Sequence, residues 1–294
     1  MSSEIRRFRC FLIGSESLLA ECAETLLKQG HEILGVITSA RKLSAWAHGR
    51  NLRVLDPRGD YRAALAEQPF EYLFSITHLA VIPADVIALP TKGAVNFHDG
   101  PLPRYAGLNT PVWALLNRET DYAITWHWMT AGIDDGDVLI RQPVEIAADD
   151  TALSLNTKCF QAGIESFAEL AGWLGLGTPV ARPQNLEGRR YFGKHDRPEG
   201  AGLLDWSRSA DELQTLIRAL DHGRYRNPVA TAKVRLAGKL YVVDAAQVVE
   251  SGDAQTLPAG EPGTIVDGSD AEIRVATGSG ILALRNFSTT CGRT

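Results

Sequence analysis

Two neutral side chains with complementary chemistry stand two residues apart in NFHDGPLPRYAG, residues 96–107: Asn96 and His98. An amide N–H can stabilise a developing oxyanion, and an imidazole can move a proton near neutral pH. The apolar run before them predicts a strand, GAVNFH, over 93–98. The period of two in a strand puts Asn96 and His98 on one face and Phe97 on the other. Pro101 and Pro103 stiffen the next segment, and Gly100 and Gly107 permit tight bends. A stiff wall beside the pair would hold the geometry that catalysis needs. On its own, N-x-H reads first as a turn-forming Asn beside a satisfied helix- or strand-end His.

A second element shifts that balance. AGIDDGDVL, residues 131–139, is a glycine-bracketed acidic loop between two strand-like runs, so it too can sit at a sheet end. A solvated turn is the plain alternative. A calcium loop would need more hard oxygen ligands at fixed offsets.

The elements that must position these residues are set by hydrophobic periodicity. RCFLIG (9–14), HEILGVIT (31–38), NLRVL (51–55), FEYLFSIT (70–77) and GAVNFH (93–98) read as strands. Helical spacing recurs from Leu18 to Gln29, over 61–67 and 81–89, and again over 111–119. DYAITWHWMT (121–130) and DVLIRQPVEI (137–146) continue as strands, with Pro143 placing the second at an edge. A long amphipathic helix is expected over 148–175, capped by Asp149, Asp150 or Thr151 and ended by Gly175. This rhythm predicts an α/β fold: a Rossmann-like, mostly parallel sheet with helices on both faces. Gly177 to Gly202 is rich in Pro, Gly and charge and reads as a surface connector. After a helix over 209–220, five short strand-like runs separated by glycine-rich turns predict a small OB-like β-barrel. The expected division is a catalytic domain over 1–176, the connector over 177–202 and a C-terminal subdomain over 203–294.

Composition narrows the function. The 294 residues are 45% apolar and 22% charged, with a net charge of −5, which does not favour a general binder of nucleic acid or anionic membrane. No apolar run approaches the ~20 residues that span a bilayer. Cys10, Cys22, Cys159 and Cys291 form no C-x-x-C pair and are expected as free thiols in a reducing cytoplasm. The first strand-to-helix turn, GSESLL, contributes only Gly14, so neither the dinucleotide fingerprint nor a phosphate-cradling loop is present. ITWHWM (124–129) is read as strand-face packing rather than a nucleic-acid platform, and His127 and His78 as structural or pocket-lining.

NFH (96–98), LPRYAG (102–107) and GIDDGD (132–137), in this order and spacing, resemble the motifs of the 10-formyltetrahydrofolate-dependent formyltransferases, whose full-length layout is that of methionyl-tRNA formyltransferase. The resemblance implies a catalytic triad of Asn96, His98 and Asp134. It also implies a folate site formed by Thr77, His78, Leu79, Ala80 and Val81, by Pro101 and Leu102, and by Ala131, Gly132, Ile133 and Asp135. The formyl donor would be 10-formyltetrahydrofolate, with no metal.

The acceptor is read from departures. Where methionyl-tRNA enzymes carry a long basic insertion, TSARKLSAWAHGRNLRV (38–54) is short and mildly basic, and Ala106 stands where those enzymes usually have Arg. HDGPLPRYAGLNTPVWALL and RALDHGRYRNPVA resemble formyltransferase domains of nonribosomal peptide and polyketide assembly enzymes. The expected acceptor is then a small amine or an aminoacyl group on a carrier protein. The abrupt ending TTCGRT fits excision from a larger synthetase chain. Asn109, Thr110 and Trp113 either line that acceptor pocket or cap and pack a helix. Methionyl-tRNA and amino-sugar nucleotides are the alternative acceptors, and a non-catalytic folate-binding module is the alternative of another class.

Overall fold

The computed structural model describes residues 6–177, 179–250, 254, 260–269 and 271–289, so Cys291 and the ending 290–294 lie outside the described residues. The chain forms two compact units. One comprises Met1–Thr110, Asp121–Glu145 and Thr157–Phe192; the other comprises Pro111–Thr120, Ile146–Asn156 and Gly193–Thr294.

The first unit opens with β1 (Arg9–Gly14), α1 (Ser17–Lys28), β2 (Glu32–Ile37), α2 (Arg41–Gly49), β3 (Val54–Leu55), α3 (Tyr61–Ala66), β4 (Tyr72–Ile76), α4 (Ala84–Ile87) and β5 (Gly93–His98). Along the chain there follow a short β6 (Ala106–Gly107), α5 (Thr110–Leu116), which from Pro111 on belongs to the second unit, β7 (Asp121–Trp128), β8 (Val138–Glu145), α6 (Ala152–Leu176), whose residues up to Asn156 belong to the second unit, and β9 (Tyr191–Phe192). The main sheet has the order β3-β2-β1-β4-β5-β7-β8. Strands β1 to β5 run parallel, and β7 and β8 are antiparallel to their neighbours. Pro143 lies on β8, an edge of the sheet, where a missing N–H costs no ladder bond.

Alternation along the strands divides the core between two faces. Phe11, Ile13 and Leu73 meet Leu65 of α3 and Val86 of α4 on one face. On the other, Phe167 of α6 packs against Phe74 at 5.4 Å and Trp126 at 5.1 Å, and Phe97 meets Trp126 at 5.1 Å. Trp126 is fully buried and its indole N–H donates to Ser166 Oγ at 3.0 Å, so this ring is core, as expected. Helix α6 passes through Gly175 to Leu176. Gly177, at φ 71°, supplies the left-handed residue that ends it, two residues later than expected.

Chain order reverses at β1, which has β2 on one side and β4 on the other. Open α/β sheets bind ligands at such a reversal, beyond the carboxyl ends of the strands. There Gly14 meets β4 so closely that a Cβ would lie 1.8 Å from the Ile76 carbonyl oxygen.

In the second unit, Ser209 and Glu212 form a reciprocal capping box on α7 (Ala210–Ala219). The terminal runs become β10 (Lys233–Leu236), β11 (Lys239–Val248), β12 (Ile265–Gly268), β13 (Glu272–Ala276) and β14 (Ile281–Thr289). They pair antiparallel in the order β10-β11-β14-β13-β12, a sheet curled into a half-barrel. Among the described residues no helix is long and apolar enough to cross a membrane.

His31 couples the first unit to pH. It is buried, stacks on Phe8 at 3.7 Å, and accepts the Phe8 N–H on Nδ1 at 3.3 Å. Burial, then the charge of Arg7, pushes its pKa down from 6.5 to about 4. The unfolded chain therefore binds this proton first. The stability contribution is full above pH 6.5 and declines as pH falls toward 4, by up to about 3 kcal/mol. Urea unfolding at a series of pH values should show a shallower acid-side loss for His31→Phe than for the parent; equal slopes would remove His31 as a cause.

Candidate active site

The site is built where the sheet turns antiparallel. In the β5–β7 register Asn96 faces His127 and His98 faces Thr125. Directly opposed antiparallel residues share a face, so Asn96, His98 and His127 project together. The Trp128 carbonyl accepts from His127 Nδ1 at 2.8 Å, and the other ring nitrogen, Nε2, faces Asn96 and Asp134. Asn96 Nδ2 lies 3.1 Å from that nitrogen. At most one amide hydrogen of Asn96 is thereby engaged, and one is left over for a ligand. His98 is 5% exposed, and its Nε2 lies 2.5 Å from the Tyr105 carbonyl oxygen, so Nε2 carries the proton.

The loop after β7 brings in Asp134. Its Oδ2 lies 3.7 Å from His98 Nδ1 and accepts the Gly107 N–H at 2.8 Å, while Oδ1 lies 3.6 Å from His127 Nε2. Burial acts to raise the Asp134 pKa. Facing His98 and His127, together with the Gly107 N–H, outweigh it and hold the carboxyl well below the usual range. Asp134 has φ 53°, a left-handed conformation that costs a non-glycine residue about 1 kcal/mol or more. Gly136 makes room for the loop, since a Cβ there would lie 1.9 Å from the Trp128 carbonyl oxygen.

Asn96, His98 and Asp134 are thus brought together, as the sequence motifs imply. The other residues of interest are distributed around them. Ser75 of β4 pairs with Asn96, which puts Thr77 at the same sheet end as His98. Thr77 is also left-handed, at φ 56°, and its carbonyl accepts the Ser15 hydroxyl at 3.1 Å. His78 is half-buried, with its pKa lowered by burial. Leu79 and Val81 are 75% and 73% exposed and Ala80 is exposed. Pro101 and Leu102 are buried; the Leu102 N–H donates to Thr125 Oγ1 at 3.3 Å, and that hydroxyl donates to the Gly100 carbonyl at 2.7 Å. Ala131, Gly132 and Ile133 are exposed at the loop tip, and Asp135 accepts the Thr130 hydroxyl within the same loop.

The acceptor candidates separate. Asn109 is left-handed at φ 57°. Thr110 is fully buried and its hydroxyl donates to Asp99 Oδ1 at 2.9 Å. Trp113 belongs to the second unit, where it borders a pocket of about 300 Å³ with Arg118, Arg208 and Glu212.

Two family models match the chain: "Formyl transferase" over residues 55–170 and "Formyl transferase, C-terminal domain" over 199–294. The methionyl-tRNA formyltransferase of Stenotrophomonas maltophilia is 31% identical over 256 residues, covering 85% of this chain and 78% of that protein. The chain belongs to the formyltransferase family. Its relative from Alkaliphilus oremlandii, also a methionyl-tRNA formyltransferase, is 28% identical over 94% of this chain and 90% of that one. Among solved structures, an N-formyltransferase from Helicobacter canadensis, in complex with folinic acid and dTDP-3-aminofucose, has a TM-score of 0.75 at 16% identity, covering 95% of this chain and 99% of that one. A sugar 3N-formyl transferase solved with dTDP and 5-N-formyl-THF has a TM-score of 0.73 at 17% identity, covering 97% and 98%.

For this formyltransferase, two features of the site were missed in the sequence and a third was read only in part. His127, read as structural or pocket-lining, faces both Asn96 and Asp134. A signal for it existed: period two puts His127 opposite the core ring Trp126. The Tyr105 carbonyl that fixes the His98 tautomer is a backbone group and leaves no side-chain signal. Gln184 and Arg189, inside the connector, donate to the backbone of the Asp134 loop.

Gly107 tests how tightly the segment is held. It has φ 97°, and a Cβ would lie 2.1 Å from the Phe192 carbonyl oxygen. Gly107→Ala is expected to destabilise the protein by roughly 2 kcal/mol or more. The check is the urea midpoint, and an unchanged midpoint would mean that the segment yields without strain.

Proposed function

We propose that this chain is an N-formyltransferase that moves a formyl group from 10-formyltetrahydrofolate to a primary amine of a small or carrier-bound natural-product building block. The observation that carries the transfer chemistry is the convergence of Asn96, His98 and the low-pKa carboxylate of Asp134 at one sheet end.

In this reading the acceptor nitrogen attacks the formyl carbon and a tetrahedral intermediate forms. The free amide hydrogen of Asn96 stabilises the oxyanion. The bond from the formyl carbon to the folate nitrogen then breaks. The proton lost by the acceptor amine replaces it on the folate nitrogen, so the step is balanced without an outside acid. His98 Nδ1 and Asp134 relay that proton, closing their 3.7 Å gap through a water or a small movement on binding. Folate lies between residues 77–81, Pro101–Leu102 and the 131–135 loop. Support for this placement comes from Leu79, Val81 and Ile133, apolar side chains left 75%, 73% and 41% exposed.

A small or carrier-bound acceptor is favoured by the short, mildly basic 38–54 region. In the 38–54 region Arg50 pairs with Glu24 at 2.8 Å and Arg53 with Glu67 at 2.6 Å, so Arg41 and Lys42, both exposed, carry the local positive charge that an RNA backbone could meet. The named relatives favour methionyl-tRNA as the second reading, and the sugar enzymes among the solved structures keep an amino-sugar nucleotide in view. We divide the chain into a catalytic domain over 1–176, a connector over 177–202 and a C-terminal subdomain over 203–294. A cytoplasmic setting is supported by Cys10, Cys22 and Cys159, all buried and unbridged.

Labelled formyl transfer should be followed from 10-formyltetrahydrofolate to aminoacyl carrier proteins, free amino acids, amino-sugar nucleotides and methionyl-tRNA. His98→Ala and Asp134→Asn should each slow transfer by about 10²–10⁴-fold. Transfer to methionyl-tRNA alone would replace the proposed acceptor. Folate binding without transfer to any amine would favour a non-catalytic module.

A further inference from the structure

The connector does more than join two parts of the chain. Arg182 pairs with Val138 through two backbone bonds of 2.8 Å, anchoring the strap to β8. Gln184 Nε2 then donates to the carbonyls of Asp134 at 3.1 Å and Gly136 at 2.6 Å. Arg189 Nη2 donates to the Ile133 carbonyl at 2.7 Å. Beyond it the strap pairs with β6: the Ala106 N–H donates to the Arg190 carbonyl at 2.9 Å and the Leu108 N–H to the Phe192 carbonyl at 2.8 Å. Phe192 also stacks on Tyr105, ring centroids 5.4 Å apart.

One segment, residues 182–192, therefore grips the two pieces of backbone that set the site. The first is the 133–136 loop, which carries Asp134. The second is the 105–108 segment, whose Tyr105 carbonyl fixes His98 and whose Gly107 N–H binds Asp134 Oδ2. We propose that Gln184 and Arg189 are positioning residues that hold Asp134 in its left-handed conformation and in register with His98. Packing does not explain this stretch, because residues 185–188 are all exposed. A left-handed non-glycine residue persists where its surroundings over-determine it. Here the two side chains bind the carbonyls of residues 133, 134 and 136, on both sides of that residue and at it.

The test reads the position of Asp134 directly. The Gly107 amide, whose acceptor is Asp134, should exchange with solvent about tenfold faster in Gln184→Ala and in Arg189→Ala. Amides of β1, such as Phe11 and Leu12, should keep their parent rates. Arg189→Lys, which retains a donor, should restore most of the Gly107 protection. At saturating substrate the formyl-transfer rate should fall about tenfold in both alanine variants. An unchanged Gly107 rate in an alanine variant removes that residue from the role. Equal acceleration of the β1 amides, or a Lys variant no better than Ala, reduces the strap to general stability and overturns the proposal. If Gln184→Ala does not fold, the Arg189 pair decides. The rate comparison rests on the transferase reading. The exchange comparison does not, so absence of transfer in the parent defeats that reading and leaves this one to be decided by Gly107.

Discussion

A buried negative charge organises this molecule. Asp134 is mostly withdrawn from water, at a cost that would ordinarily favour its neutral form by several kcal/mol. Its partners come from three separate places: His98 at the end of β5, His127 in β7 and the Gly107 N–H in β6. His98 and Gly107 reach Asp134 from segments far away in sequence, while His127 stands on the strand that leads into its loop. The sheet has to change from parallel to antiparallel after β5 for His127 to stand opposite Asn96. The chain between β5 and β7 has to bend back for Gly107 to reach the carboxylate. The low pKa of Asp134 is the electrostatic consequence of that assembly.

Rigidity around the charge comes from two sources of different character. Behind β5 and β7 the aromatic layer of Phe97, Trp126 and Phe167 fixes the strand faces, so the opposite faces of β5 and β7 present their polar residues in a set register. In front, packing is thin and hydrogen bonds take over: Thr125 to Gly100, Gly107 to Asp134, and the connector to the Asp134 loop. On the proposed reading the site admits a folate and an amine, so a core cannot close it. Directional bonds to backbone carbonyls hold geometry while leaving the apolar side chains of Leu79, Val81 and Ile133 open to a ligand.

Most strands and helices of the first unit were legible from apolar runs and helical spacing, but helix α2 (Arg41–Gly49) and the short strands β6 and β9 were not read. RCFLIG and GAVNFH became β1 and β5 with the expected bounds, and Pro143 does lie on an edge strand. The end of α6 was less legible. Two glycines compete there, and Gly177 rather than Gly175 takes the left-handed position. Asn96, His98 and Asp134 stood out in the sequence because NFH ends a strand-like run just before the Gly- and Pro-rich 100–107 segment and Asp134 lies in a loop bracketed by Gly132 and Gly136. His127 was read no further than structural or pocket-lining, since a histidine flanked by two tryptophans carries the pattern of a packed strand. Thr110, read both ways, is a buried donor to Asp99, a contact that the sequence does not show.

By itself the sequence determined the fold class, the family resemblance and the residues able to do the chemistry, because side-chain period and motif spacing are properties of one chain segment at a time. The tertiary structure decided which of those residues touch. The Asn96–His127 contact depends on strand pairing across 31 residues, and the hold of Gln184 on Asp134 on a return of 50. The tautomer of His98 depends on a backbone carbonyl that any residue at position 105 would supply. Contacts of these kinds arise from how segments pack, and local composition carries no record of them.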